Sequence, residues 1–131
     1  MPYRQVSVAL ILLGSLPAGA GPAPASFPPA FQGVWNGNVE AGETCRARDY
    51  EERTSDALMQ VTARQMNFWE SACDITSLTR KDDVITVKST CYGEGDTWQD
   101  TRVMQIQKIA GKTYLLTFSS GYITALVKCG P

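Results

Sequence analysis

Apolar and polar positions alternate along most of this chain, in runs short enough to be strands. Residues 58–63, 84–92, 98–109, 113–119 and 122–129 each read as one strand, and 65–79 reads as a long strand bent near Glu70-Ser71. A first strand opens at Phe31-Gln32-Gly33-Val34-Trp35, with Gly37 and Gly42 marking turns behind it. Turn chemistry separates the runs: Lys81-Asp82-Asp83, the segment 93–97, Ala110-Gly111-Lys112 and Ser120-Gly121. No helical period persists in this half and no repeat is visible. The segment 43–56 differs. It is the most charged part of the chain, mixed in sign, and reads as a solvated loop with one helical turn, pinned by Cys45.

Paired residues in an antiparallel hairpin have a constant index sum, so each turn predicts a register. A sum of 164 pairs Cys73 with Cys91 and centres on Asp82, inside a turn. A sum of 191 pairs Ile85 with Ile106 and Val87 with Met104, leaving 94–97 as the loop. A sum of 222 pairs Ile106 with Leu116 and Met104 with Phe118 around Gly111. A sum of 241 pairs Phe118 with Ile123, Leu116 with Ala125 and Tyr114 with Val127. Together these place Cys73, Ile75, Ile85, Val87, Cys91, Trp98, Met104, Ile106, Leu116, Phe118, Ile123, Ala125, Val127 and Cys129 on one face. A slip of one residue in any hairpin breaks the set.

Length and cysteine usage then narrow the class. A chain of 131 residues makes one domain. Arg4, the uncharged apolar run 6–13, Pro17 and the small triplets Ala18-Gly19-Ala20 and Ala23-Pro24-Ala25 read as a secretory signal peptide over residues 1–20, with cleavage after Ala20 favoured over Ala25. The destination expected is the bacterial periplasm. Residues 21–30 are Pro/Ala-rich and read as a disordered leader, and residues 31–131 as the folded domain. Four cysteines and no histidine argue for two disulfides against a zinc site. If Cys73 and Cys91 are bonded, their hairpin centres on Asp82 inside a turn, which supports that pair, and Cys45–Cys129 is the remaining one, joining the domain's beginning to its end. The fold expected is all-β: a small antiparallel meander closing into a barrel of about seven to eight strands, stapled by two disulfides. Without Arg4 the chain has 11 basic against 13 acidic residues, a net of −2 with no basic block. That excludes a nucleic-acid or anionic-membrane surface, and no membrane span is expected after signal cleavage. A monomer is expected.

Candidate chemistry is sparse. Glu70 and Glu94 flank the Cys73–Cys91 pair, and two carboxylates can hydrolyse a glycoside at the right separation; the competing reading is two solvated or ion-paired acids. No Gly-x-Ser-x-Gly elbow exists, and Ser71, Ser119 and Ser120 have no visible base. The Gly93-Glu94-Gly95-Asp96 loop lacks the length of a calcium loop and the lysine of a phosphate loop, so no metal or cofactor is expected. Tyr92 and Trp98 flank it as contact residues. Asp100 and Arg102 fall on the inward parity opposite Cys91 and Ser89. Three explanations stand: a bulge turns them outward, they form a mutual ion pair at the open end, or they line a polar pocket there. The reading is a non-catalytic periplasmic binding protein for an unknown protein or small ligand. The alternatives are an inhibitor of a cell-wall or proteolytic hydrolase, and a hydrolase using Glu70 and Glu94.

The pattern Phe68-x-Glu70-Ser71-x-Cys73, then Cys91-x-Gly93-Glu94-Gly95-x-x-Trp98, with Phe31-x-Gly33-x-Trp35 and the lone Cys45 upstream, resembles a group of short exported alphaproteobacterial proteins. The resemblance covers nearly all of the chain beyond the signal, and it transfers no activity. A more distant, architectural likeness is to small periplasmic β-barrel inhibitors of lysozyme and of metalloproteases. The Ser-Gly-x-x-Tyr loop of the lysozyme inhibitors is matched only by the fragment Ser120-Gly121-Tyr122, with the wrong spacing, so no inhibitory residue is implied.

Overall fold

The computed structural model describes residues 23–40 and 45–131; the expected signal peptide lies outside them. Among the described residues, antiparallel strands close an all-β barrel in chain order. They are β1 (Gly33–Asn36), β2 (Leu58–Val61), β3 (Gln65–Asn67), β4 (Ala72–Lys81), β5 (Val84–Gly93), β6 (Asp96–Ile109), β7 (Lys112–Ser119) and β8 (Tyr122–Lys128), with a one-turn helix α1 (Arg48–Glu51) between β1 and β2. Both expected disulfides, Cys73–Cys91 and Cys45–Cys129, are present.

The turns explain where the register differs from expectation. Every connection from β4 to β8 is a two-residue turn. In three of them both residues are left-handed: Glu94-Gly95 (φ 51° and 83°), Ala110-Gly111 (51° and 79°) and Ser120-Gly121 (51° and 82°). This is the type I′ geometry, whose twist matches that of the flanking strands. The β4–β5 pairing holds at Cys73–Cys91, then moves by one residue through a bulge between Ile75 and Ser77. The β5–β6 pairing moves by two, because the loop is Glu94-Gly95 and not 94–97; Val87 now faces Arg102 and Ile85 faces Met104. An even shift keeps each side chain on its expected face. The β6–β7 pairing moves by one, because the turn is Ala110-Gly111 without Lys112. That odd step reverses β7, and β8 with it. Leu115 (0 % exposed) and Leu126 enter the core, while Leu116, Phe118, Ile123 and Ala125 turn to the outer face; Val127 shares that side of β8 but stays buried. The expected single strand over 65–79 is a hairpin: Asn67 pairs with Ala72, and the Phe68 N–H donates to the Ser71 carbonyl at 2.8 Å.

The barrel interior packs Trp35, Met59, Val61, Met66, Ile85, Val87, Met104 and Leu115 around the Cys73–Cys91 bridge. Phe27 and Phe31 join this core. Phe27, which composition places in the leader, is 1 % exposed, and its N–H donates to the Ala63 carbonyl at 2.8 Å. The Trp35 indole donates to the Phe31 carbonyl at 2.9 Å, which holds the entering segment against the barrel. Cys129 does not point into this core. With Cys45, Val34 and Leu58 it forms a second buried cluster, joined by Ala47 and Tyr50. Trp35 and Met59 occupy the alternate, inward positions of the same strands, so this cluster lies on the outer side of β1 and β2. The closing seam is short: Trp35 with Lys128 and Asn36 with Val127. Past it, the Cys129 N–H bonds to Val34 and the Gly130 N–H to Cys45.

Candidate functional site

At one end of the barrel the β5–β6 hairpin tip meets the turn between β3 and β4. The Cys73–Cys91 bridge ties these two segments one residue pair from their ends, since Ala72 pairs with Tyr92 and Gly93 with Asp96. Gly93 makes the approach possible. A Cβ there would stand 2.6 Å from the Glu70 carbonyl oxygen and 2.9 Å from the Ser71 Cβ. Gly93→Ala should therefore push the 68–71 turn aside and cost about 1.5 kcal/mol, an ordinary overpacking penalty. Urea denaturation measures the loss, and wild-type stability would show that the two loops are not held in contact.

The other side of the turn is held by the segment after α1. The Arg53 guanidinium donates to the Trp69 carbonyl at 2.8 Å and lies over the Trp69 ring, 4.8 Å from its centroid. Nothing in the sequence pattern marked this clamp, because Arg53 stands in a mixed-charge run that reads as solvated.

This arrangement brings most of the expected site residues together. Glu70, Ser71, Gly93, Glu94, Asp96 and Trp98 line one open cleft of about 330 Å³. Glu70, Glu94 and Asp96 are all exposed, and Trp98 keeps 42 % of its surface in solvent. Tyr92, 41 % exposed, lies in the adjoining hollow, which shares Glu70, Ser71 and Gly93 with the cleft. Among the described residues no group of three or more His, Cys, Asp or Glu is placed to hold a metal ion.

Asp100 and Arg102 do not line this cleft. The β5–β6 ladder runs unbroken past them, so no bulge turns them out; Asp100 pairs with Ser89 and Arg102 with Val87, both fully buried. They form the mutual ion pair. Arg102 Nε donates to Asp100 Oδ2 at 3.2 Å, and the side chains are only 18 % and 12 % exposed. The Ser119 hydroxyl donates to Asp100 Oδ1 at 2.9 Å, and the guanidinium sits 5.3 Å from the Phe68 ring centroid. The pair is thus committed to its own neighbours.

A second surface was hidden by the expected register. Val103, Phe118 and Ile123 are cross-strand neighbours on the outer face, exposed to 36 %, 47 % and 76 %. With Val84 and Leu116 they line a shallow apolar groove. The one available signal was the Ala-Gly pair at 110–111, whose preference for a two-residue turn reverses the face.

No helix among the described residues is long and apolar enough to cross a membrane. Comparison of the chain with protein-family models, with curated proteins and with solved structures found no match.

Proposed function

We propose that this protein is a non-catalytic binding protein of the periplasm, exported by residues 1–20, which holds its partner in the cleft between the 68–71 turn and the 93–98 hairpin tip. The observation that carries this reading is the cleft itself: three carboxylates and an exposed indole on a platform stapled by a disulfide. The carboxylates of Glu70, Glu94 and Asp96 beside Trp98 suit a partner that presents a lysine or arginine side chain, through charge-assisted hydrogen bonds and cation–π contact. A rigid platform loses little conformational entropy on binding. Two disulfides fit an oxidising compartment. Inhibition of a hydrolase is one form this binding could take, with the hairpin tip as the inserted loop.

A pull-down from periplasmic extract with the oxidised protein, set beside the Glu94→Ala, Trp98→Ala double variant, tests this. The expected result is a stoichiometric partner whose affinity falls at least tenfold in the variant, as for residues at the centre of an interface. Equal capture by both forms overturns the reading.

A second reading is a hydrolase, favoured by one observation: Glu70 and Glu94 line the same cleft. It ranks lower because both are exposed, whereas a protonating carboxyl group is ordinarily made by an apolar pocket. The chain also has no histidine. Turnover of a cell-wall glycan, abolished by Glu94→Gln, would reverse the order.

A further inference from the structure

We propose that β6, along residues 97–101, takes up an extended segment of a partner protein as an added strand, and that this segment carries lysine or arginine at alternate positions. The two ladders of β6 differ in length. β5 pairs with it from Asp96 to Gln105, whereas β7 reaches it only from Val103 onward. Gly93 and Asp96 close a two-residue turn and are therefore a hydrogen-bonded pair, as are Cys91 with Trp98 and Ser89 with Asp100. The residues between, Thr97, Gln99 and Thr101, turn their N–H and C=O groups away from β5. Val103, next in this alternation, gives those groups to Phe118. Among the described residues nothing bonds to the main chain of the three before it on that side, and all three are exposed. The edge is also rigid. Across from it Cys91 is bridged to Cys73, and the Gln99 amide bonds to the Thr90 hydroxyl at 3.2 Å.

Proteins guard an exposed edge with lysine, proline or a bulge, and residues 96–101 have none of these. Two other strands outrun a neighbour. β4 does so past β3, but a bulge between Ile75 and Ser77 and the cations Arg80 and Lys81 guard it. β8 does so past β1 at Ile123 and Ala125, with no charged side chain there to select a partner. At the β6 edge charge selects the occupant. Asp96, Trp98 and Asp100 alternate on one side of the strand, and Asp96 and Trp98 line the cleft with Glu70 and Glu94. An added strand places every second side chain on that same side, where a cation meets carboxylates and an indole. The choice of a basic side chain rests on the cleft reading above; the main-chain pairing rests on the ladder alone. A second copy pairing edge to edge would bring its own Glu94, Asp96 and Asp100 to these, like charge against like. Main-chain bonds supply affinity in this mode and the alternate side chains supply specificity. The edge accepts about five residues, or roughly 16 Å of strand.

The probe is a blocked pentapeptide of alternating valine and lysine, and the readout is amide hydrogen exchange of the oxidised, isotope-labelled protein. In the free protein the Thr97 and Gln99 amides should exchange far faster than those of Trp98 and Asp100. The peptide should slow Thr97 and Gln99 about tenfold or more and leave the other two unchanged. Methylating the valine nitrogens, which face β6, should weaken binding about tenfold or more, whereas methylating the lysine nitrogens, which face away, should not. Gln99→Pro removes one edge N–H without breaking a bond to β5 and should weaken binding to the same degree; the peptide arm stands even if that variant unfolds. Thr97 and Gln99 amides already protected in the free protein overturn the proposal, and protection that grows with protein concentration assigns the edge to a second copy. No protection at about 1 mM peptide also overturns it. Binding lost in the Glu94→Ala, Trp98→Ala variant but indifferent to valine methylation overturns strand addition and leaves the cleft reading intact. The reverse pattern upholds strand addition and overturns the cleft reading.

Discussion

Replacing Cys45 and Cys129 together by alanine should lower the stability of the barrel by about 4.5 kcal/mol. The bridge closes a loop of 84 residues, against 18 for Cys73–Cys91. The cost of a crosslink to the unfolded chain grows with the logarithm of the loop, so the shorter bridge should be worth about 3 kcal/mol. Topology points the same way. Cys73–Cys91 joins strands already paired along most of their length. Cys45–Cys129 reinforces a seam that β1 and β8 close with two residue pairs. A domain this size has a total stability of about 5–15 kcal/mol, so the loss is about 30 % of the whole or more. A fall of about 20 °C in the unfolding midpoint is expected, read by calorimetry or by urea denaturation, where m should rise because the unfolded chain is less compact without the crosslink. A midpoint within a few degrees of wild type would mean that β1 and β8 close the barrel without the bridge.

Asp100→Ala is the second large effect, at about 3 kcal/mol. The variant leaves Arg102 inside the barrel mouth without its carboxylate and removes the acceptor of the Ser119 hydroxyl. The cost is mainly that of the uncompensated guanidinium. Replacing both members by apolar groups of similar volume, Asp100→Leu with Arg102→Met, should return stability to within about 1 kcal/mol of wild type, because the pair gains little beyond its own desolvation. The single variants Asp100→Leu and Arg102→Met form a thermodynamic cycle with the double. A double variant as unstable as Asp100→Ala would show instead that the ion pair contributes net stability, through its contacts with Phe68 and Ser119.

The cysteine pairs and the curled meander were legible because hairpin arithmetic uses only turns and spacing, and Asp82 fell midway between Cys73 and Cys91. The closeness of Glu70 to Glu94 was legible for the same reason, since each lies beside one half of that pair. The direction of β7 was not. The run Tyr114-Leu115-Leu116-Thr117-Phe118 carries apolar residues on both parities, so hydrophobicity cannot choose a face and the length of one turn decides. Reading Lys112 into that turn placed Phe118 and Ile123 in the core. Asp100 and Arg102 were visible as an anomaly, but only the unbroken β5–β6 ladder selects the ion pair. Phe27 carried no signal, since its neighbours are the prolines and alanines of a leader. The contact of Gly93 with Glu70 depends on a close backbone approach that no spacing reveals.

The narrow seam between β1 and β8 also governs how the protein meets its own kind when damaged. Where its strands pair in full, a closed barrel has no free strand edge, and so offers no row of unpaired amides for another chain to extend. Here that protection depends on two residue pairs and a crosslink. A reductant that cuts Cys45–Cys129 does more than loosen the fold. It threatens to bare the edges of β1 and β8, and β8 is apolar from Ile123 to Val127 apart from Thr124. An opened barrel is then a template for strand addition and fibrous aggregation. For this chain, oxidation is a safeguard against precipitation as much as a source of stability.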